Sequence, residues 1–162
     1  MKDYSKVVML MVNFPRFREI QRQILSQDVT FDGYSDNPHI TLLYGIDNDI
    51  DNRKVAEVIQ NCKFKKPFLT KLSLFENESD VLKFDVEGSF LWDINKKLKE
   101  LPFKNDFPNF VPHLTIAYLK KGFGKYYANS LNKKYGNVEV EPISIQIGEY
   151  KKYSNFDITK NE

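Results

Sequence analysis

The sequence predicts an α+β fold, and three observations carry that prediction. The chain has 162 residues, 41% hydrophobic and 14% aromatic, which suffices for the core of a single domain over 1–162. Continuously apolar or alternating runs interleave with runs of helical spacing, and no linker or low-complexity block divides them. One eight-residue segment occurs twice, at 37–44 and 111–118, which predicts two lobes related by a pseudo-two-fold axis.

Residues 7–12 are an unbroken apolar run and read as a buried strand. Apolar residues at 14, 17, 20 and 24, with Pro15 suited to a first turn, predict a helix over 14–25. Asp32-Gly33 and Asn37-Pro38 mark 26–38 as a loop, 39–44 is a short strand, and 52–60 a helix. Strands at 68–75 and 81–86 flank the polar turn 76–80, giving a hairpin. Ser89 is read as the N-cap of a helix to about residue 100, with Phe90, Leu91, Ile94 and Leu98 as its apolar stripe. An aromatic-rich loop (101–112), a strand (113–118), a helix (126–134) and a long last strand (138–147) complete the chain.

Composition excludes several classes of function. Lys plus Arg (24) nearly balances Asp plus Glu (22), so a strongly basic nucleic-acid coat is not expected. One cysteine, Cys62, rules out a disulfide framework or a thiolate zinc site, and two histidines are too few for a His-rich metal centre; no metal and no cofactor are expected. Cys62 itself reads as a small, half-buried residue and not a nucleophile. The apolar run near the start stops at Val12, too short to span a bilayer, so no membrane association and a cytoplasmic location are expected. No protein partner is evident.

The repeated segment holds the chemistry. Asn37-Pro38-His39-Ile40-Thr41-Leu42-Leu43-Tyr44 matches Val111-Pro112-His113-Leu114-Thr115-Ile116-Ala117-Tyr118 at Pro, His, Thr and Tyr, and both histidines of the chain lie in it. Pro before a given His and Thr two after it arise by chance roughly one time in a thousand, so the pairing is no coincidence. In a strand His39 and Thr41 share one face, as do His113 and Thr115. Two imidazoles with pKa near ~6.5 can supply both base and acid at neutral pH. The threonine hydroxyls can donate to the non-bridging oxygens of a phosphate, where charge gathers in the transition state. Strand alternation places Tyr44 and Tyr118 on the opposite, core-facing side.

At these residues the chain resembles the 2H phosphoesterase superfamily, the 2′,5′ RNA ligase-like proteins defined by two His-x-Thr-x motifs. The resemblance extends over the whole layout and implies a bilobal fold, with two pseudo-symmetric antiparallel sheets lining a central groove and helices packed outside. It implies that His39 and His113 form an acid/base pair, that Thr41 and Thr115 bind phosphate, and that phosphodiesters are cleaved without metal. The size and the Pro-His-x-Thr-Leu-Leu-Tyr-Gly form of the first motif are most similar to phage anti-CBASS phosphodiesterases, which hydrolyse cyclic di- and trinucleotide immune messengers in the host cytoplasm. Many relatives place Arg shortly after the second motif; here Lys120 and Lys121 stand there, and that phosphate contact would fall to Lys120 or Lys121, or be absent.

Further substrate contacts are expected around the pair. Phe103, Phe107 and Phe110 either form a stacking wall at the groove rim or seal the core under their loop. Ile143, Ile145 and Ile147 are read as the buried face of the last strand, leaving Ser144 and Gln146 on the groove side. Glu141 either turns inward at a bulge beside Pro142 or stays in solvent, and its charge favours solvent. Lys63, Lys65 and Lys66 read as a solvated loop. The expected activity is cleavage of cyclic oligonucleotides. The alternatives are processing of RNA ends or 2′–5′ oligonucleotides, and a sponge that binds the nucleotide uncut, against which the two intact motifs argue.

Overall fold

The apolar run at 7–12 is the body of the first strand, β1 (Lys6–Asn13), buried along nearly all its length. In a computed structural model that describes residues 2–104 and 109–160, it is followed by α1 (Phe17–Arg22), β2 (Val29–Tyr34), β3 (His39–Ile46), α2 (Asn52–Ile59), β4 (Lys63–Phe64), β5 (Phe68–Glu76) and β6 (Asp80–Glu87). Then come α3 (Ser89–Leu98), β7 (His113–Leu119), α4 (Gly124–Tyr135), β8 (Val138–Glu139), β9 (Glu141–Glu149), β10 (Lys152–Phe156) and β11 (Thr159–Lys160).

The class is α+β, as predicted. Two antiparallel sheets hold the strands, in the orders β10-β9-β1-β3 and β2-β7-β6-β5-β8, and β4 pairs in parallel with β11. Each large sheet carries one copy of the repeat, β3 in the first and β7 in the second, and the two strands lie against each other. Helices α2 and α3 cover the first sheet through β9 and β3, while α1 and α4 pack on β7 and on β5 and β6 of the second. Leu10, Ile40, Phe84 and Leu114 are fully buried members of one apolar cluster that draws on both sheets. Phe14 meets Phe84 edge-on at 5.7 Å within it. No described helix is long and apolar enough to cross a membrane.

Five local expectations are corrected. The first helix is shorter than 14–25, running from Phe17 to Arg22, and part of the predicted loop 26–38 is strand β2. That strand pairs with β7 only at Val29↔Leu119 and Tyr34↔Ala117, with an irregularity between, so it lacks an alternating signature. Ser89 is the first helical residue of α3 and not its cap; Gly88 holds the cap position without a side-chain hydrogen bond. The stretch 138–147 is two strands in different sheets: β8 pairs with β5, and β9 pairs with β1. Finally, Ile143 is 53% exposed while Pro142, Ile145 and Ile147 are buried. A bulge opposite Met11 and Val12 takes Ile143 as its extra residue and moves the buried set by one.

Candidate active site

The two copies of the repeat are built alike down to their hydrogen bonds. Beside β3, the N–H of Val12 donates to the Pro38 carbonyl at 3.3 Å; beside β7, the N–H of Val86 donates to the Pro112 carbonyl at 3.3 Å. The His39 Nδ1–H donates to the Asn37 carbonyl at 2.8 Å, and the His113 Nδ1–H to the Val111 carbonyl at 2.7 Å. A carbonyl only accepts, so each contact assigns the proton to Nδ1 and leaves Nε2 as the working nitrogen. Each motif holds its own tautomer by a backbone carbonyl two residues upstream.

Thr41, Thr115 and His113 line a common cavity of about 530 Å³ between the sheets. His39 is half-buried and precedes Thr41 on the same face of β3, and it lies close enough to His113 for its charge to weigh on that ring. Three of the four residues singled out from the repeat thus share the cavity wall, and His39 stands near His113 without being among the lining residues.

The tyrosines are not where simple alternation puts them. In β3 the register runs His39↔Met11, Ile40↔Leu10, Thr41↔Met9, then Leu43↔Val8 and Tyr44↔Val7, which leaves Leu42 as an extra residue. In β7 it runs His113↔Asp85, Leu114↔Phe84, Thr115↔Lys83, then Ala117↔Leu82 and Tyr118↔Val81, leaving Ile116 extra. Both strands bulge at the same place in the motif, and each bulge inverts the parity of the residues beyond it. Tyr44 and Tyr118 consequently face the cavity and line it. Nothing in a strict period-two pattern reveals such a bulge; the sequence trace is the pair of consecutive apolar residues, Leu42-Leu43 and Ile116-Ala117, both buried.

Where the copies differ, they differ in charge. Lys83 and Asp85 on β6 face Thr115 and His113, whereas Met9 and Met11 on β1 face Thr41 and His39. Lys83 is buried, with Nζ 2.7 Å from Asp85 Oδ1 and 4.3 Å from the centre of the Phe75 ring. Ser73 Oγ donates to the same carboxylate oxygen at 2.7 Å. Burial opposes ionisation of Asp85, but the hydrogen bonds from Lys83 and Ser73 and the lysine charge outweigh it and hold the carboxyl below the usual carboxylate range. The His113 ring sits edge-on to Phe75 at 4.9 Å. Its pKa is lowered, first by burial and then by the charges of Lys83 and His39, against the raising effects of the Val111 carbonyl and Asp85. Sequence reasoning missed Lys83, Asp85 and Phe75. For Lys83 and Asp85 the signal was the alternation of polar 83 and 85 with apolar 82, 84 and 86 along β6.

The remaining expected contacts divide. Phe110 lines the cavity and meets Trp92 edge-on at 4.9 Å, while Phe103 packs against the core and bridges Ile46. Phe107 lies outside the described residues. Ser144 and Gln146 are partly exposed and share the groove-side face with His39 and Thr41, in register through Met11 and Met9, two strands or roughly 10 Å away. Neither is among the cavity-lining residues. The bulge at Ile143 puts Glu141 on this face too, opposite Asn13, and its carboxylate pairs with Lys66 at 2.8 Å, both side chains staying about half exposed, so Lys66 remains a solvated loop residue as expected. Lys120 is exposed beyond the end of β7, where its N–H donates to the Asp28 carbonyl, and Lys121 reaches Asp80 at 3.5 Å; neither lines the cavity. Cys62 is half-buried, and burial raises its thiol pKa, in keeping with an unreactive residue. Among the described residues no group of three His, Cys, Asp or Glu side chains is placed to hold a metal ion.

This architecture occurs in solved structures. Kluyveromyces marxianus Usb1 matches with a TM-score of 0.62 at 8% identity, over 96% of this chain and 99% of its own. E. coli LigT complexed with NADP+ matches with a TM-score of 0.55 at 12% identity, over 99% and 100%. The chain has the 2H phosphoesterase fold. Usb1 has also been solved with uridine monophosphate and LigT with phosphate. No protein-family model and no curated protein matches the sequence.

Proposed function

We propose that this protein is a metal-independent phosphodiesterase of the 2H superfamily that opens cyclic di- or trinucleotide messengers, in the manner of the phage anti-CBASS enzymes. The observation that carries the reading is the duplicated motif. Two imidazoles, each with Nδ1 tied to a backbone carbonyl, stand with two threonine hydroxyls on strands that meet at one cavity. A binding protein needs no such pair; in-line displacement at phosphorus needs both members.

In the proposed reaction, neutral His113 takes the proton of a ribose 2′-OH at Nε2 as O2′ forms a bond to phosphorus. The bond from phosphorus to O5′ breaks, and protonated His39 gives its Nε2 proton to that oxygen. The product is a 2′,3′-cyclic phosphate, which water opens with the two roles exchanged. Thr41 and Thr115 donate to the non-bridging oxygens. Lys83, paired with Asp85, adds a positive field beside Thr115. Phe110 borders the substrate, with Ser144, Gln146 and Glu141 further along the same face.

A second reading, cleavage of RNA ends or of 2′–5′ oligonucleotides, draws support from the near-complete overlap with Usb1, a structure solved with uridine monophosphate. The test is incubation with cyclic dinucleotides, cyclic trinucleotides and RNA ends in the presence of EDTA. Turnover of cyclic nucleotides supports the first reading, and turnover of RNA ends alone the second. Tight binding without products would make the protein a sponge, and activity lost in EDTA and restored by Mg²⁺ would refute the metal-free mechanism.

A further inference from the structure

We infer that Tyr44 and Tyr118 are two separate nucleobase seats, one on each side of the scissile phosphate, so that the groove takes an internal phosphodiester with a nucleoside at both ends. This rests on the proposed roles of the histidine pair and names the substrate class for it.

The first support is that both tyrosines are turned into the groove by a device that core packing does not call for. A regular strand would send each of them into the core. Instead a bulge at Leu42 and another at Ile116 bury the two residues before each tyrosine and release the ring to the cavity. Tyr44 remains 46% exposed, so it contributes little to the core, and a bulge costs local ladder pairing. Two independent bulges at the same motif position bring the same residue type to one cavity. Tyr118 is the more enclosed of the two, and burial, with Asp32 nearby, raises its phenol pKa; it stays a neutral aromatic surface.

Chain direction sets the rings apart. β2 runs antiparallel to β7, with Tyr34 opposite Ala117 and the Ser35 N–H donating to the Ile116 carbonyl. Continuing the same way brings His39 toward His113 and carries β3 on past it. Beyond that point Gly45 accepts from the Lys104 N–H and Ile46 bridges Phe103, in the segment that leads into His113. Tyr44 is thus at the Phe110 end of the groove. Tyr118 is at the other end, in the row of Val81 and Phe75. Each ring lies two register steps past its threonine, roughly 7 Å along the strand. A ribose bridges such a gap between a phosphate at the threonines and a base on the ring. The cavity, about 530 Å³, falls within the range of small-molecule sites. Base–aromatic stacking tolerates any base, so the seats select for nucleosides on both sides and not for sequence.

The test uses the whole protein with three substrates: the dinucleoside monophosphate ApA and two analogues that lack one adenine, from the 3′-linked or the 5′-linked ribose. Tyr44→Ala and Tyr118→Ala should each lower kcat/KM on ApA by roughly 5- to 150-fold, chiefly through KM. Each penalty should vanish on one abasic analogue, and the two variants should respond to opposite analogues. Tyr44→Phe and Tyr118→Phe should recover most of the loss, since the ring and not the hydroxyl does the stacking. Penalties that ignore the missing base, or that both track the same end, overturn the inference. If the wild type cuts no diester, the acid/base reading fails separately. Quenching of tyrosine fluorescence by ApA, lost in both Ala variants, would still uphold the seats, and its absence in the wild type would remove them.

Discussion

Lys83 and Met9 occupy the same place in the two halves of the repeat, Lys83 across the ladder from Thr115 and Met9 across from Thr41. The next groove-facing position repeats the contrast, with Asp85 opposite His113 and Met11 opposite His39. The backbone is duplicated while the electrostatics are not. A buried cation beside one histidine disfavours its protonated form, which in the proposed mechanism would make His113 the base and His39 the acid.

That polarity predicts distinct phenotypes for the two histidines. With a nucleoside leaving group, His39→Ala and His113→Ala should each lower kcat by roughly 10²- to 10⁴-fold. With uridine 3′-(p-nitrophenyl phosphate), whose leaving group departs without a proton, His39→Ala should regain most of its activity and His113→Ala should not. Recovery in His113→Ala alone would reverse the assignment.

The pH profile tests the source of the polarity. Around His113 stand Lys83 and Asp85 on β6, Ser73 and Phe75 on β5, and His39 on β3. Because its pKa is lowered, His113 stays neutral and competent as a base below the usual histidine range, so the acid limb of kcat/KM should lie under pH ~6.5. Lys83→Met, which copies the Met9 side of the repeat, removes a positive charge that opposes protonation. The acid limb should then move to higher pH, and Lys83→Arg should return it. An unmoved limb in a folded Lys83→Met variant would show that Lys83 is not what lowers the pKa.

The threonines permit a cleaner removal. Thr41 and Thr115 are partly buried on the cavity wall, and Val has the same branched shape without the hydroxyl. Thr41→Val and Thr115→Val should each lower kcat by roughly 10²- to 10³-fold, the loss expected for a donor to a developing phosphate charge. Melting temperatures should change little, since the strands keep a β-branched residue. A loss of stability matching the loss of activity would assign the hydroxyls a structural role instead.

The sequence made the chemistry more legible than the geometry. His39, Thr41, His113 and Thr115 stood out because a duplicated motif is a local signal, and local alternation placed each pair on one face. What escaped depended on insertions in the ladder: the bulges at Leu42, Ile116 and Ile143 each shift parity by one, and their consequence shows only in the register of the partner strand. Tyr44 and Tyr118 were assigned to the wrong side for that reason alone. Lys83 escaped differently. A lysine in a strand is ordinarily solvated, and its burial comes from Phe75 and Asp85 closing over it, a tertiary arrangement. Strand β2 and the short β4 were invisible because they are partly exposed or only two residues long.

Two glycines of the scaffold have positive φ, near 158° at Gly148 and 93° at Gly122, and of the two only Gly148 is also crowded. Gly148 pairs with Val7 on one side and Tyr153 on the other, and a Cβ there would lie 2.0 Å from the Lys152 carbonyl oxygen. That oxygen belongs to backbone held in the β9–β10 ladder, so relief requires the edge strand to move. Gly148→Ala should cost about 3 kcal/mol, the upper part of the overpacking range, and lower Tm by roughly 6–12 °C. Gly122 has open space around it but φ near 93°, so Gly122→Ala should cost only about 1 kcal/mol, from conformation alone. Because β10 is the strand farthest from β3 in its sheet, Gly148→Ala should keep its activity on phosphodiesters at temperatures where it stays folded. Thermal melts of both variants, read beside turnover at about 20 °C, check the ordering; equal losses of stability would mean that the β9–β10 turn yields to the added methyl at little cost.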